Sequence, residues 1–173
     1  MDQSSSPTID GPVRPAAWPA DGLVAVGLLQ NYAAHLSLGE GGAAKICLTG
    51  FGDELARLAD TCSAPNGVLL LAFSSGTAAG CVVVKVRHDR PGACEMKRLW
   101  VEKSAQGRGL GRRLALAAIA WARQAGMSTV LLDTVPGAMP QAVRLYQSLG
   151  FETTERHNTN DVADLQFMQL DLR

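Results

Sequence analysis

The run Gln106-Gly107-Arg108-Gly109-Leu110-Gly111 carries the clearest chemistry in this sequence. A stretch of strand character ends just before it at Val101, and a long apolar helical pattern starts at about Leu110. Strand, glycine loop and helix N-terminus, in that order, make an anion site. Glycines let the backbone come close, several N–H groups converge, and the helix dipole favours negative charge. Arg108, Arg112 and Arg113 add mobile positive charge at the same end. The ligand such a loop grips is a pyrophosphate. Two phosphate motifs fail here. A P-loop needs Lys and then Ser or Thr after its last glycine, whereas Arg112-Arg113 follows Gly111. A dinucleotide fingerprint, G-x-G-x-x-G, fails because the third glycine comes one residue early and the loop lies in mid-chain.

The elements that must position this loop are legible in the periodicity. Cys94 to Val101 reads as a strand and Glu102 to Ala105 as a polar turn. The helix from Leu110 to Ala125 carries Leu110, Leu114, Ala117, Ala118 and Trp121 on one side, and Gly126 caps it. Upstream, Val68 to Phe73 is a nearly continuous apolar run that suits a central strand covered on both faces, and Gly80 to Val86 completes a hairpin with it. Downstream, Thr129 to Thr134 is a short buried strand. Pro140 then suits a first helical position and Gly150 a C-cap, with Ala142, Leu145, Tyr146 and Leu149 sharing one face. Phe151 onward and Leu165 to Leu172 form a closing antiparallel pair around a polar loop, His157 to Asp164.

The N-terminal part is less patterned. Residues 1–12, rich in Ser and Pro, are predicted to form a disordered tail, with one domain from 13 to 173. Val13-Arg14 fits a short strand. A helix starts at Asp21 or Gly22, places Val24, Leu28, Tyr32, His35 and Leu36 at helical spacing, and ends at Gly39; Asp53 to Leu58 is a second short helix.

Gln106, Gly109 and Gly111 satisfy the pattern Q/R-x-x-G-x-G/A. Before it comes Glu95-Met96-Lys97-Arg98-Leu99-Trp100-Val101 and after it Leu131-Leu132-Asp133-Thr134. Ala142-Val143-Arg144-Leu145-Tyr146-Gln147-Ser148-Leu149-Gly150-Phe151 then follows A-x-x-L-Y-x-x-x-G-F. Together, in this order, they resemble the GNAT superfamily of acetyl-CoA-dependent N-acetyltransferases. The resemblance covers roughly Gly67 to Leu172, and the residues before it match only in outline.

The resemblance implies a mixed α/β (α+β) fold. Its central sheet is mostly antiparallel, with the fourth and fifth strands parallel but splayed and about four flanking helices. It implies acetyl-CoA as co-substrate and no metal. The backbone N–H groups of Gly107, Arg108, Gly109, Leu110, Gly111 and Arg112 would hold the pyrophosphate, with Gln106 and Arg108 bracketing it. Backbone groups at Leu99, Trp100 and Val101 would meet the pantetheine arm and the acetyl carbonyl. Tyr146 matches the family tyrosine near the thioester sulfur, which makes it the leaving-group acid; its plain alternative is a core residue. Glu95 stands where many members carry a base acting directly or through water; equally, it could pair with Arg98 or Lys97 as a structural charge. Tyr32 and His35 face an acceptor pocket or simply pack. One position departs from the family: Met139 stands where many members carry an Asn that contacts the pantetheine.

Composition sets the remaining bounds. The 173 residues are 47% hydrophobic and 18% charged, and sixteen basic residues balance sixteen acidic ones. Nucleic-acid binding domains usually carry a basic excess, so the Arg cluster reads as a site and not as a field. Cys47, Cys62, Cys81 and Cys94 are widely spaced, without metal-ligand grouping, and read as reduced. No apolar run is long enough for a membrane span, and the first residues lack signal-peptide character. The expectation is a cytoplasmic N-acetyltransferase acting on a primary amine by direct attack in a ternary complex. The last strand could pair across a homodimer. The alternatives are a non-catalytic acyl-CoA-binding or sensing domain and a nucleotide-binding structural protein; acetyl transfer and ligand preference separate them.

Overall fold

A computed structural model describes residues 10–37, 50–160, 162 and 164–173. The expected end of the first helix at Gly39, the loop after it, Cys47 and residues 1–9 lie outside the described residues. A seven-stranded sheet runs in the order β1-β2-β3-β4-β5-β7-β6. The strands are β1 (Asp10–Pro15), β2 (Gly67–Ser74), β3 (Thr77–Val86), β4 (Ala93–Val101), β5 (Thr129–Thr134), β6 (Glu152–Thr153) and β7 (Gln166–Asp171). Among the described residues the helices are α1 (Gly22–Ser37), α2 (Phe51–Ala56), α3 (Leu58–Thr61), α4 (Leu110–Gln124) and α5 (Pro140–Ser148). β1 starts at Asp10, inside the segment that composition marks as a tail.

Alternation within the central strands divides the core into two layers. Val68, Leu70, Val82, Val84 and Met96 pack with Leu110, Leu114 and Ala118 of α4. Leu69, Leu71, Cys81 and Val83 pack with Ala25, Leu28 and Leu29 of α1. This double cover explains why β2 reads as a continuous apolar run.

All pairings are antiparallel except β4 with β5, whose parallel register lasts only from Ala93 to Glu95 against Thr129 to Leu131. Beyond Glu95 the two strands part. On its other side β4 carries a bulge: Val83 pairs with Lys97 and Cys81 with Trp100, three steps against two, and Arg98 takes a left-handed φ of 57°. A bulge bends its strand and re-aims the side chains after it. Gly80 lies against this bend; a Cβ there would come within 2.7 Å of the Trp100 carbonyl oxygen. β7 lies between β5 and β6, so the strand that alternates most clearly is interior over Met168 and Gln169, and β6 and β1 are the two sheet edges.

Burial pushes the thiols of Cys81 and Cys94 up to about 12 from an ordinary 9.0. The folded chain therefore keeps protons that the unfolded chain releases above pH 9. Stability is complete below that pH and falls as pH rises toward 12, by up to about 1.4 kcal/mol per pH unit for each thiol. The melting temperature should drop by several degrees between pH 8.5 and 10.5. A flat profile in differential scanning calorimetry would contradict this.

Candidate active site

The loop after β4 is shaped by two left-handed glycines, Gly107 (φ 78°) and Gly109 (φ 75°), conformations that cost an L-residue about 1–2 kcal/mol. Gly109 caps α4 without a side chain. The first helix donor to find a partner is the Arg113 N–H, which bonds the Gly109 carbonyl at 3.1 Å. The N–H groups of Leu110, Gly111 and Arg112 thus point off the helix end as donors for an anion. Side chains tie the loop down. Gln106 Nε2 donates to the Val101 carbonyl at 3.0 Å, and Arg113 Nη2 to the Gly11 carbonyl at 2.7 Å. Arg112 Nη1 donates to Ser148 Oγ at 2.9 Å, and Arg108 Nη1 to Ser74 Oγ at 3.2 Å.

A cavity of about 710 Å³ opens where this loop meets the end of β4. Leu99, Trp100 and Val101 form one wall, the loop a second, and Met139 to Ala142 at the start of α5 a third; His35 reaches in from α1. A smaller cavity of about 50 Å³ lies past the splay of β4 and β5, lined among others by Tyr32, Lys97, Arg98, Asp133 and Tyr146. Leu99 and Met139 belong to both linings. The two cavities thus lie on either side of these two residues, where the sheet parts. A family model described as Acetyltransferase (GNAT) family matches residues 45–151.

The chain belongs to the GNAT family. It is 40% identical over 121 residues to an uncharacterized N-acetyltransferase of Schizosaccharomyces pombe, covering 69% of this chain and 73% of that protein. It is 38% identical over 93 residues to an IAA acetyltransferase of Azospirillum brasilense, covering 53% of this chain and 58% of that protein, less than two thirds of its length. An acetyltransferase structure from Salmonella typhimurium with acetyl-CoA as its cofactor superposes with a TM-score of 0.66 at 20% identity, over 93% of each chain. Membership makes the chain an acyltransferase, and the splayed β4 and β5 are those of a GNAT fold.

Within this GNAT framework, Gln106, Gly107, Gly109, Leu110, Gly111 and Arg112 all line the large cavity. Arg108 is not in its lining and turns toward Ser74. Tyr146 is 7% exposed, packs on Phe151 at 5.7 Å between ring centroids, and lines the small cavity. Burial, with smaller contributions from Tyr32 and Asp133, pushes its phenol well above the ordinary value of 10.0. Tyr32 lines the small cavity and His35 the large one. Both rings lie against Trp100, His35 at 5.1 Å and Tyr32 at 6.4 Å. The departing position Met139 forms the wall common to both cavities.

Glu95 is buried in the segment where β4 still pairs with β5, and lines neither cavity. Its carboxylate meets Arg87 Nη1 at 3.3 Å, Lys97 Nζ at 3.9 Å and the Asn158 amide at 3.0 Å. Of the two structural partners open to it from sequence, Lys97 is present. Arg98 instead pairs with Glu54 of α2 at 2.8 Å and lies over the rings of Tyr32 and Phe51. Sequence reasoning assigned no role to Asp133, Asn158 or Asn160. Asn158 Nδ2 donates to both Glu95 and Asp133, the latter at 2.7 Å, and Asn160 Nδ2 donates to Asp133 at 3.3 Å. Only the polarity of the 157–164 loop hinted at the two asparagines.

Proposed function

We propose that this acyltransferase moves the acetyl group of acetyl-CoA onto a primary amine by direct attack in a ternary complex. The observation that carries the reading is the pair of cavities that share Leu99 and Met139 beside the parted strands, with phosphate donors lining one and Tyr146 the other. The residues present fit the donor. Unpaired N–H groups at the start of α4 suit its pyrophosphate, and a passage between β4 and the start of α5 suits a slender pantetheine arm. Leu99, Trp100 and Val101 lie on the part of β4 that β5 has left, where backbone groups are open to orient an acetyl carbonyl. Tyr146 gives a hydrogen bond or proton to the departing thiolate; its raised pKa keeps it a donor at neutral pH. Tyr32 and His35 bound the acceptor's approach. The N–C bond forms as the C–S bond breaks and the amine's proton leaves to water; Glu95, which lines neither cavity, only positions that side through the Asn158 amide it shares with Asp133.

Thermal-shift titration with acetyl-CoA, CoA, ATP and NAD tests the donor. A ligand that binds only the folded chain adds about 2.7 kcal/mol at a hundred times its Kd. Acetyl-CoA and CoA should raise the melting temperature by several degrees, and ATP and NAD should not. Thiol release in the presence of amines then tests transfer, and CoA binding without turnover across a broad amine panel would leave a sensing domain.

A further inference from the structure

The small cavity contains a charge with no counterpart. Its lining includes two cations and one carboxylate. Both cations are matched: Lys97 faces Glu95 at 3.9 Å, and Arg98 is paired with Glu54 at 2.8 Å. Asp133, half-buried on β5, is held by neutral donors, the amides of Asn158 and Asn160 at 2.7 and 3.3 Å, and among the described residues no cation stands within ion-pair distance of it. Amide donors satisfy carboxylate lone pairs but leave the negative charge in place, and at a partly buried position that charge attracts a cation strongly. Tyr146, more than nine-tenths buried, lines the same cavity. An anion and a phenol thus line about 50 Å³ of shared space, room for a group on the scale of an ammonium and its methylene.

Building on the acetyl-transfer reading above, we infer that Asp133 anchors the acceptor, and that the acceptor is a slender aliphatic amine that arrives as its ammonium ion. An aliphatic ammonium with a pKa of about 10.4 carries its charge at neutral pH and matches the carboxylate. The Asn158 and Asn160 amides fix the orientation of Asp133, and the cavity size disfavours an amine on a branched carbon. Glu95, held by Arg87 and Lys97, supports Asn158 from behind.

The test uses the full chain saturated with CoA, which permits binding without turnover. Thermal shifts are followed on adding n-butylamine, 1,4-diaminobutane or n-butanol to wild type, Asp133→Asn and Asp133→Glu. The amines should stabilise the wild-type CoA complex and n-butanol should not. Asp133→Asn should weaken amine binding at least tenfold with CoA affinity unchanged, and Asp133→Glu should retain part of it. Equal amine affinity in Asp133→Asn and wild type overturns the inference, as does a wild-type complex that ignores every amine or binds n-butanol equally well. The wild-type comparison of amine with alcohol decides the matter even if a variant does not fold. A wild type that CoA itself fails to stabilise sinks the acetyl-donor reading, and the anchor with it; the CoA titration alone reveals this.

Discussion

Tyr146→Phe should lower kcat by about 100-fold at saturating acetyl-CoA and acceptor, the lower end of what a positioned proton donor contributes. The affinity for acetyl-CoA should stay within about twofold, because Tyr146 does not line the large cavity proposed for the donor. The substitution removes one oxygen and keeps the ring that packs on Phe151, so the melting temperature should change little. The pH profile adds a second check. Since burial raises the folded pKa of Tyr146, the phenol remains protonated as pH climbs to its ordinary value of 10.0 and beyond. No loss of kcat between pH 8 and 10 should therefore trace to Tyr146; any fall there belongs to another group or to unfolding. Stopped-time thiol release across that range, on both proteins, measures each point. A Phe variant with kcat within threefold of wild type would assign Tyr146 to the core alone.

Gly109→Glu should abolish acetyl-CoA binding, with at least a 100-fold rise in Kd, while the chain still folds. Two effects act together. The left-handed φ of 75° costs any other residue about 1–2 kcal/mol, a modest share of a domain's stability. The new side chain meets no protein atom within 4 Å of its Cβ, so the core is not disturbed. The space it enters is the open end of α4, where its carboxylate competes for the donors of Leu110, Gly111 and Arg112 and repels a phosphate. Isothermal titration with acetyl-CoA reads the loss, and Gly109→Ala separates the causes. Ala carries the backbone strain without the charge and should bind more tightly than Glu. Equal affinities in the two variants would place the whole effect in backbone strain.

Much of the frame was open to reading because it is written locally. The doubly covered β2, the strand before the loop and both motif helices start and stop within a residue or two of where periodicity puts them, while β3 ends at Val86 as expected but starts three residues earlier, at Thr77. Proline at the start of α5 and Gly150 after its end are signals that act over one turn. The closing pair was legible as a pair, but its insertion order, with β7 between β5 and β6, was not. Strand order depends on which edge is free when the segments meet, and no local pattern encodes that.

The shape of the glycine loop was determined by the sequence alone, since glycine conformation, helix start and N–H display all lie within a few consecutive residues. The surroundings of Glu95 and Asp133 were decided only in three dimensions. Alternation along β4 puts Glu95 and Lys97 on one face, yet the hairpin turn delivers Arg87 to Glu95, and the left-handed bulge at Arg98 sends that guanidinium away to Glu54. Asp133 lies 25 residues before its closest amide donor, Asn158. Charge pairing and orphaned charge are sums over everything nearby, and the neighbours arrive from β4, β5, α2 and the 157–164 loop only when the sheet closes.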